Sequence, residues 1–480
     1  MSKIYLFGIG GTGSRVIKAL TFLLASGIEF KQKTIVPIII DPDEANGDVT
    51  KTIDLLRNYE KIRTKLTFNN DAENHFFETS VESISENYRL KIPDSKKKFK
   101  EFINYSSLDH QNQALISLLF SEQNLNADME VGFKGNPNMG SVVLNQFNTS
   151  EDFEEFASSF VAGDRIFIIS SIFGGTGASG FPLLLKNLRS ASTSLDNSEL
   201  LKNSPIGAVS LLPYFGVKKE EESAIEKSTF ISKTKAALQY YEHNVTNGTI
   251  NRMYYLGDNL VKDYENKEGS VEQKNDAHFL ELVAALSIVD FANTPSEDLE
   301  VENGKAINSS VKEFGMQSDG TTVNITFSDL GAGTKHQLFS PLTSYFLITL
   351  YLENEIRNTK NQPYAQDSVI DDAFLSSDYF KNVTKFNQNY LEWLSQMSRN
   401  KRGFSPFKLD TKNPHIFDLI EGITPKKDGL FSFNKTKNYE KFTGTLNEQN
   451  KKVKKGNTEQ RLFNLFYKST TSLITEKFNS

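Results

Sequence analysis

Short apolar runs alternate along the first part of the chain with longer segments whose apolar positions recur every three or four residues, a pattern that predicts parallel strands joined by helices. Lys3-Ile-Tyr-Leu-Phe7 is followed by Val16, Ile17, Ala19, Leu20, Leu23 and Leu24 at helical spacing. Thr34 to Ile40 is a continuous apolar run of the kind buried on both faces of a sheet. Residues 44–130 are charged and mostly helical in pattern, with Leu115, Leu118, Leu119 and Phe120 forming one apolar stripe. Phe153, Phe156 and Phe160 mark the core face of a helix that leads into a strand at Ile166, and a periodic segment follows through Leu185. Ile206 to Leu212 and Met253 to Leu256 are further short strands, separated by a long helix from Lys218 to about Tyr241. The polar stretch 262–274 reads as a loop, and Ala277 to Phe291 as a helix apolar on most sides, as expected of one buried between two domains. Farther on, residues 321–327 form a strand pattern and Ser340-Pro341 opens an amphipathic helix, whereas 360–480 show only isolated helical patterns. The expected class is therefore α/β, a Rossmann-like parallel-sheet domain over residues 1–293 including the apolar helix, then a divergent, largely helical domain over 294–480.

Two of the strand-to-helix junctions are rich in glycine: Gly8-Ile-Gly-Gly-Thr-Gly-Ser-Arg15 and Gly174-Gly-Thr-Gly-Ala-Ser-Gly180. Glycine lets backbone amides at a helix N-terminus approach a ligand closely, and such amides suit a phosphate, with Thr176 and Ser179 adding hydroxyls. A single loop of this kind also serves tight packing alone; two at equivalent positions favour binding. The strand ending at Ile40 runs into Asp41-Pro42-Asp43, where carboxylates outside the carboxyl end of a sheet meet a ribose or a Mg²⁺ ion, the plain alternative being an Asp-Pro turn. In a dinucleotide-binding fold an acid there binds the adenosine ribose, which admits a Rossmann-type oxidoreductase as an alternative.

Residues 174–180 resemble the GGGTGSG signature of the tubulin/FtsZ superfamily of GTP-binding proteins, and residues 8–13 are similar to that family's first nucleotide loop. In the family's order, Gly135-Asn136-Pro137-Asn138-Met139-Gly140 is similar to the loop on the γ-phosphate side. Leu212-Pro213-Tyr214-Phe215-Gly216 is similar to the element bordering the ribose, and Asn275-Asp276 to the guanine-contacting pair. The resemblance covers residues 1 to about 300 and fails beyond Asn293. It implies GTP or GDP with Mg²⁺, held by Gly10, Gly11, Thr12, Gly13, Gly135, Asn136, Gly174, Gly175, Thr176, Gly177, Ala178, Ser179, Asn275 and Asp276, which Asp41 and Asp43 join by their place after a strand. It further implies head-to-tail self-association, with GTP hydrolysed by an acid that one subunit inserts into the next. The family supplies that acid from an Asn-x-Asp-x-x-Asp pattern after the central helix, and this chain departs from it. Asp290 copies part of the pattern but lies within the predicted helix; Glu297, Asp298 and Glu300, with Glu302, have the right separation without the motif. These are the candidate catalytic acids, and each also reads as a surface charge. The departure supports an alternative, a GTP-binding switch or scaffold that neither assembles nor hydrolyses, with the C-terminal region available to a protein partner.

Composition narrows the field further. With 38% hydrophobic and 24% charged residues, a formal net charge of −6 and no cysteine, disulfides and thiolate metal sites are excluded, and no general affinity for nucleic acid or anionic membrane is expected. No apolar run has bilayer length, and the N-terminus lacks a secretory pattern, so a cytoplasmic location is expected. The richness in Asn, Lys, Ile and Phe is that of an AT-rich bacterial genome. The six histidines show no metal-ligand spacing, and neither a GxxxxGK[ST] loop nor a GxSxG elbow occurs.

Overall fold

In the computed structural model the alternation becomes a sheet of parallel strands with helices on both faces. All residues are described except 1, 44, 70–72, 86, 130–132, 134, 135, 147–149, 215, 218–226, 246, 259–262, 265–274, 317–322, 401, 411, 427–437, 455, 479 and 480. The main strands are β1 (Lys3–Ile9), β2 (Thr34–Ile40), β3 (Ser80–Val81), β4 (Arg165–Ser171), β5 (Ile206–Leu211), β6 (Arg252–Asp258), β7 (Ser310–Met316), β8 (Val323–Ile325) and β9 (Arg402–Phe404). The longer helices are α1 (Gly10–Ala25), α2 (Gly47–Arg63), α3 (His110–Leu119), α4 (Pro137–Leu144), α5 (Glu151–Ser159) and α6 (Gly175–Arg189). They continue with α7 (Lys227–Asn244), α8 (Phe279–Asn293), α9 (Ala332–Asn354), α10 (Asp378–Ser398), α11 (Asn438–Asn450) and α12 (Thr458–Phe478).

The seven-stranded sheet has the order β7-β6-β5-β4-β1-β2-β3, and every pair in it is parallel. From β1 the chain builds outward through β2 to β3, then returns to β4 on the other side of β1 and builds away. The direction of winding therefore reverses between β1 and β4, the position at which doubly wound sheets open a crevice at their carboxyl ends. Both faces are apolar because both are covered. On β1, Ile4 and Leu6 join a core with α1, α2, α8 and the C-terminal helices, whereas Tyr5, Phe7 and Ile9 join a second core with α4, α5 and α6.

Helix α8 runs antiparallel to the strands. Glu281 near its start meets Arg15 of α1, while Arg165 at the beginning of β4 donates to the carbonyls of Phe291 and Thr294 at its end (2.8 and 2.9 Å). Its burial on most sides agrees with its sequence.

Several sequence expectations change in the folded chain. The sheet does not end at residue 293: β7 lies beyond α8 and pairs with β6. The core also crosses that point, with Trp393 of α10 stacked on Phe22 of α1 at 4.9 Å between centroids. Helix α9 begins at Ala332, with Pro341 inside it, rather than at Ser340. An interior proline costs about 3 kcal/mol, and the continuous burial of residues 342–352 outweighs it. The apolar stripe before the 135 loop does form a helix, α3, yet Leu115, Leu118 and Leu119 are 52, 85 and 61% exposed. Phe153, Phe156 and Phe160 are core, as their spacing indicates.

Candidate functional site

The two glycine junctions become the N-termini of α1 and α6, which follow the adjacent strands β1 and β4 and so meet at the point where the winding reverses. Neither helix has a side-chain cap, its N-cap positions being Ile9 and Gly174, and neither carries an acid in its first turn. The first-turn amides and the positive ends of two helix dipoles are thus left for an anion. The junctions touch: a Cβ built on Gly10 would lie 3.6 Å from Thr176 Cβ, and Gly10 has a φ of +72°.

Glycine serves two purposes here. A Cβ on Gly13 would fall 2.5 Å from the Gly8 carbonyl carbon, and one on Gly177 2.6 Å from the Ser171 carbonyl oxygen, so these two glycines let each helix pack on its own strand. Gly10 faces Thr176 and Gly177 of the other loop, and Gly11, Gly174, Thr176 and Ala178 are partly exposed. Gly175 is buried at the first position of α6. Ser179, expected to offer its hydroxyl, is buried and donates to the Gly175 carbonyl at 2.7 Å. We predict that Gly10→Val, whose positive φ a β-branched residue resists, abolishes anion binding while circular dichroism still reports a folded chain. Normal binding by a folded variant would make the loop purely structural.

Thr12 is drawn into a polar network absent from the sequence reading. Arg15, one turn into α1, is 6% exposed; its Nε donates to Glu281 at 2.6 Å and its guanidinium nitrogens to Asp48 and the Tyr214 hydroxyl at 2.9 Å and to Thr12 at 3.3 Å. Tyr214 donates in turn to Glu281 at 2.9 Å, and burial raises its pKa. Asp48 and Glu281 sit in the first turns of α2 and α8, where helix dipoles favour negative charge. The network thereby ties the first glycine loop to α2, to the segment after β5 and to the central helix. An arginine straight after a glycine loop is visible in sequence; its partners, up to 266 positions away, are not.

Asn275 joins this network, donating through its amide nitrogen and side chain to Asp48, each at 3.3 Å. Asp276 pairs instead with Arg399 of the C-terminal region at 3.4 Å. Asn136 caps α4 by accepting from the amides of Asn138 and Met139, and Gly135 lies outside the described residues. At the end of β2, Asp41 accepts from the Asp43 amide at 3.0 Å, and Asp43 from the Ala45 amide at 3.0 Å. Desolvation pushes the Asp41 carboxyl up to about 7, opposed in part by the hydrogen bond it accepts from the Asp43 amide. Because its folded pKa is raised, the contribution of Asp41 to stability is present below the ordinary carboxylate range and is lost as pH rises through 7.

Among the described residues no group of three or more His, Asp or Glu is arranged to hold a metal. Magnesium bound with a nucleotide uses one or two carboxylates plus phosphate oxygens and water, a need that Asp41 and Asp43 match in kind. Since the ion competes with the proton on Asp41, any Mg²⁺-dependent gain in nucleotide affinity is predicted to grow from pH 6 to pH 8, and Asp41→Asn to flatten that profile in calorimetric titrations. An unchanged slope in the variant would remove Asp41 from the metal site.

The candidate catalytic acids lie at the other end of the sheet. Asp290, on the last turn of α8, pairs with Lys312 at 2.5 Å and accepts from the Tyr254 hydroxyl. Glu297, Asp298 and Glu300 follow in an exposed turn just after α8. None of them meets the glycine loops of its own chain, since α8 separates the two ends by about 20 Å at 1.5 Å per residue.

No family model matches the chain, and no curated protein is similar to it in sequence. Among solved structures, CetZ from Methanosaeta thermophila strain DSM 6194 is similar at 16% identity over 54% of this chain and 46% of that one, with a TM-score of 0.28. CetZ2 from Haloferax volcanii, solved as a GTPγS-bound protofilament, is similar at 13% identity over 54% and 49%, with a TM-score of 0.26. The chain thus spans about half the length of these structures.

Proposed function

We propose that this chain is a tubulin/FtsZ-like guanine-nucleotide-binding protein that holds the phosphates of GTP or GDP, with Mg²⁺, between the N-termini of α1 and α6, assembles head to tail, and hydrolyses GTP where subunits meet. The observation that carries the nucleotide reading is the convergence of two uncapped, acid-free helix N-termini at the switch point between β1 and β4. The motif GGTGASG supplies the guanine-binding expectation. The sheet order by itself serves a dinucleotide-binding oxidoreductase equally well, so the ligand has to discriminate. Calorimetric titration with GTP, GDP, ATP and NADH is the test: GTP and GDP should bind in preference to the others. Equal affinity for ATP, or binding of NADH alone, would overturn the assignment.

Head-to-tail assembly is supported by the polarity of α8, which leads from the Glu281 network at the loops to the exposed acids at the opposite end. A second reading, a nucleotide-binding switch that does not hydrolyse, draws on Asp290, which Lys312 and Tyr254 already engage.

A further inference from the structure

At the amino end of the sheet, opposite the glycine loops, three side chains are committed to one turn of the chain. Arg165, the first residue of β4, is 5% exposed, and among the described residues no carboxylate pairs with it. Its guanidinium donates instead to the carbonyls of Phe291, Ala292 and Thr294 at 2.8, 3.2 and 2.9 Å and to the Ser296 hydroxyl at 3.1 Å. Asn251, fully buried just before β6, donates to the carbonyls of Leu299 and Glu300 at 3.0 and 3.4 Å. Arg252, at the start of β6, donates to the Asp298 carbonyl at 3.2 Å.

The contacts on Phe291 and Ala292 complete the end of α8, as a cation near a helix C-terminus does. Those on Thr294, Ser296, Asp298, Leu299 and Glu300 lie past the helix and hold the turn itself. Burying a guanidinium without a counter-ion is costly, and a plain connection would leave such carbonyls to water. The side chains of the same turn are treated in the opposite way: Glu297, Asp298 and Glu300 are exposed and make no side-chain hydrogen bond or ion pair among the described residues. The backbone is fixed while the carboxylates stay open to another molecule. We propose that Arg165, assisted by Asn251 and Arg252, is a positioning residue that aims the acid of this turn at the nucleotide of the next subunit. The inference rests on the assignment of catalysis to Glu297, Asp298 or Glu300, and its physical basis is that a reacting group has to be held closely: a misplacement of about 1 Å costs about 10²-fold in rate.

The experiment measures GTP binding, kcat and KM on the full chain carrying Arg165→Lys, which keeps the charge and loses the fork. The expected result is a fall in kcat of about 10²-fold with KM and GTP affinity unchanged. Should that variant fail to fold, Arg252→Met is the second arm: it removes the donor to the Asp298 carbonyl from a half-buried position and should lower kcat in the same way. Loss of stability with kcat unchanged would reduce the contacts to helix capping and overturn the proposal, as would a loss confined to KM or to GTP binding. The assignment of the acids is tested separately. A parent chain without turnover, or a Glu297→Ala, Asp298→Ala, Glu300→Ala variant with full turnover, would overturn that assignment and the positioning role with it, whereas full kcat in folded Arg165→Lys and Arg252→Met beside a dead triple variant would overturn the positioning role alone.

Discussion

Replacing Arg15 with methionine is expected to lower the unfolding free energy by about 3–5 kcal/mol, because it leaves buried carboxylates without their cation. Asp48 and Glu281 are 4 and 2% exposed, so water cannot take over the guanidinium's role without opening the junction of α1, α2 and α8. The loss should depend on pH in a defined direction. In the variant, burial disfavours the ionised form of both acids with no guanidinium left to offset it. The penalty is then absent below the ordinary carboxylate range and grows as pH rises toward neutrality. Adding Glu281→Gln to Arg15→Met removes one uncompensated charge and should restore part of the stability at pH 7. Urea unfolding followed through the single tryptophan, Trp393, which stacks on Phe22 of α1, reads both effects. A loss below about 1 kcal/mol, the level of a surface ion pair, would mean that the network is hydrated and does not fasten the loop to the central helix.

The second large effect concerns turnover. If a neighbour donates the catalytic acid, GTP hydrolysis per subunit should rise with protein concentration and then level off, whereas a self-contained site gives a constant specific activity. Losing one positioned acid or base costs about 10²–10⁴-fold in rate. Asp290→Ala and the combined Glu297→Ala, Asp298→Ala, Glu300→Ala variant should therefore separate the candidates, provided GTP binding is measured alongside phosphate release. The triple variant is expected to bind GTP normally and lose turnover, since those side chains are exposed after α8 while Asp290 is engaged by Lys312. Loss of turnover in Asp290→Ala alone would reverse that choice. A parent chain with no turnover at any concentration would favour the non-hydrolysing switch.

Sequence alone determined the features that depend on local spacing. The apolar runs at residues 3–7 and 34–40 are strands because a segment buried on both faces has no polar alternation to preserve, and the structure places them side by side in the sheet. The helices after both glycine junctions, and the near-total burial of α8, follow equally from periodicity. Tertiary structure decided what depends on partners distant in the chain. Whether a given glycine opens toward a ligand or seals a helix onto a strand is set by the atom opposite it, as Gly10 and Gly13 differ. Ser179, a donor by composition, turns inward because its own helix offers a carbonyl. Of the stripe Leu115, Leu118, Leu119 and Phe120, Phe120 joins the core while the three leucines stay exposed, since amphipathicity states which face is apolar and not what covers it. Arg15 finds Asp48, Tyr214 and Glu281 only when α1, α2, the segment after β5 and α8 converge, and β7 joins the sheet from beyond residue 293, where the sequence places the end of the sheet domain. Hydrophobic periodicity is a property of neighbouring residues; ion pairing, strand addition and cavity lining are properties of the packed chain, so they become legible only once it has folded.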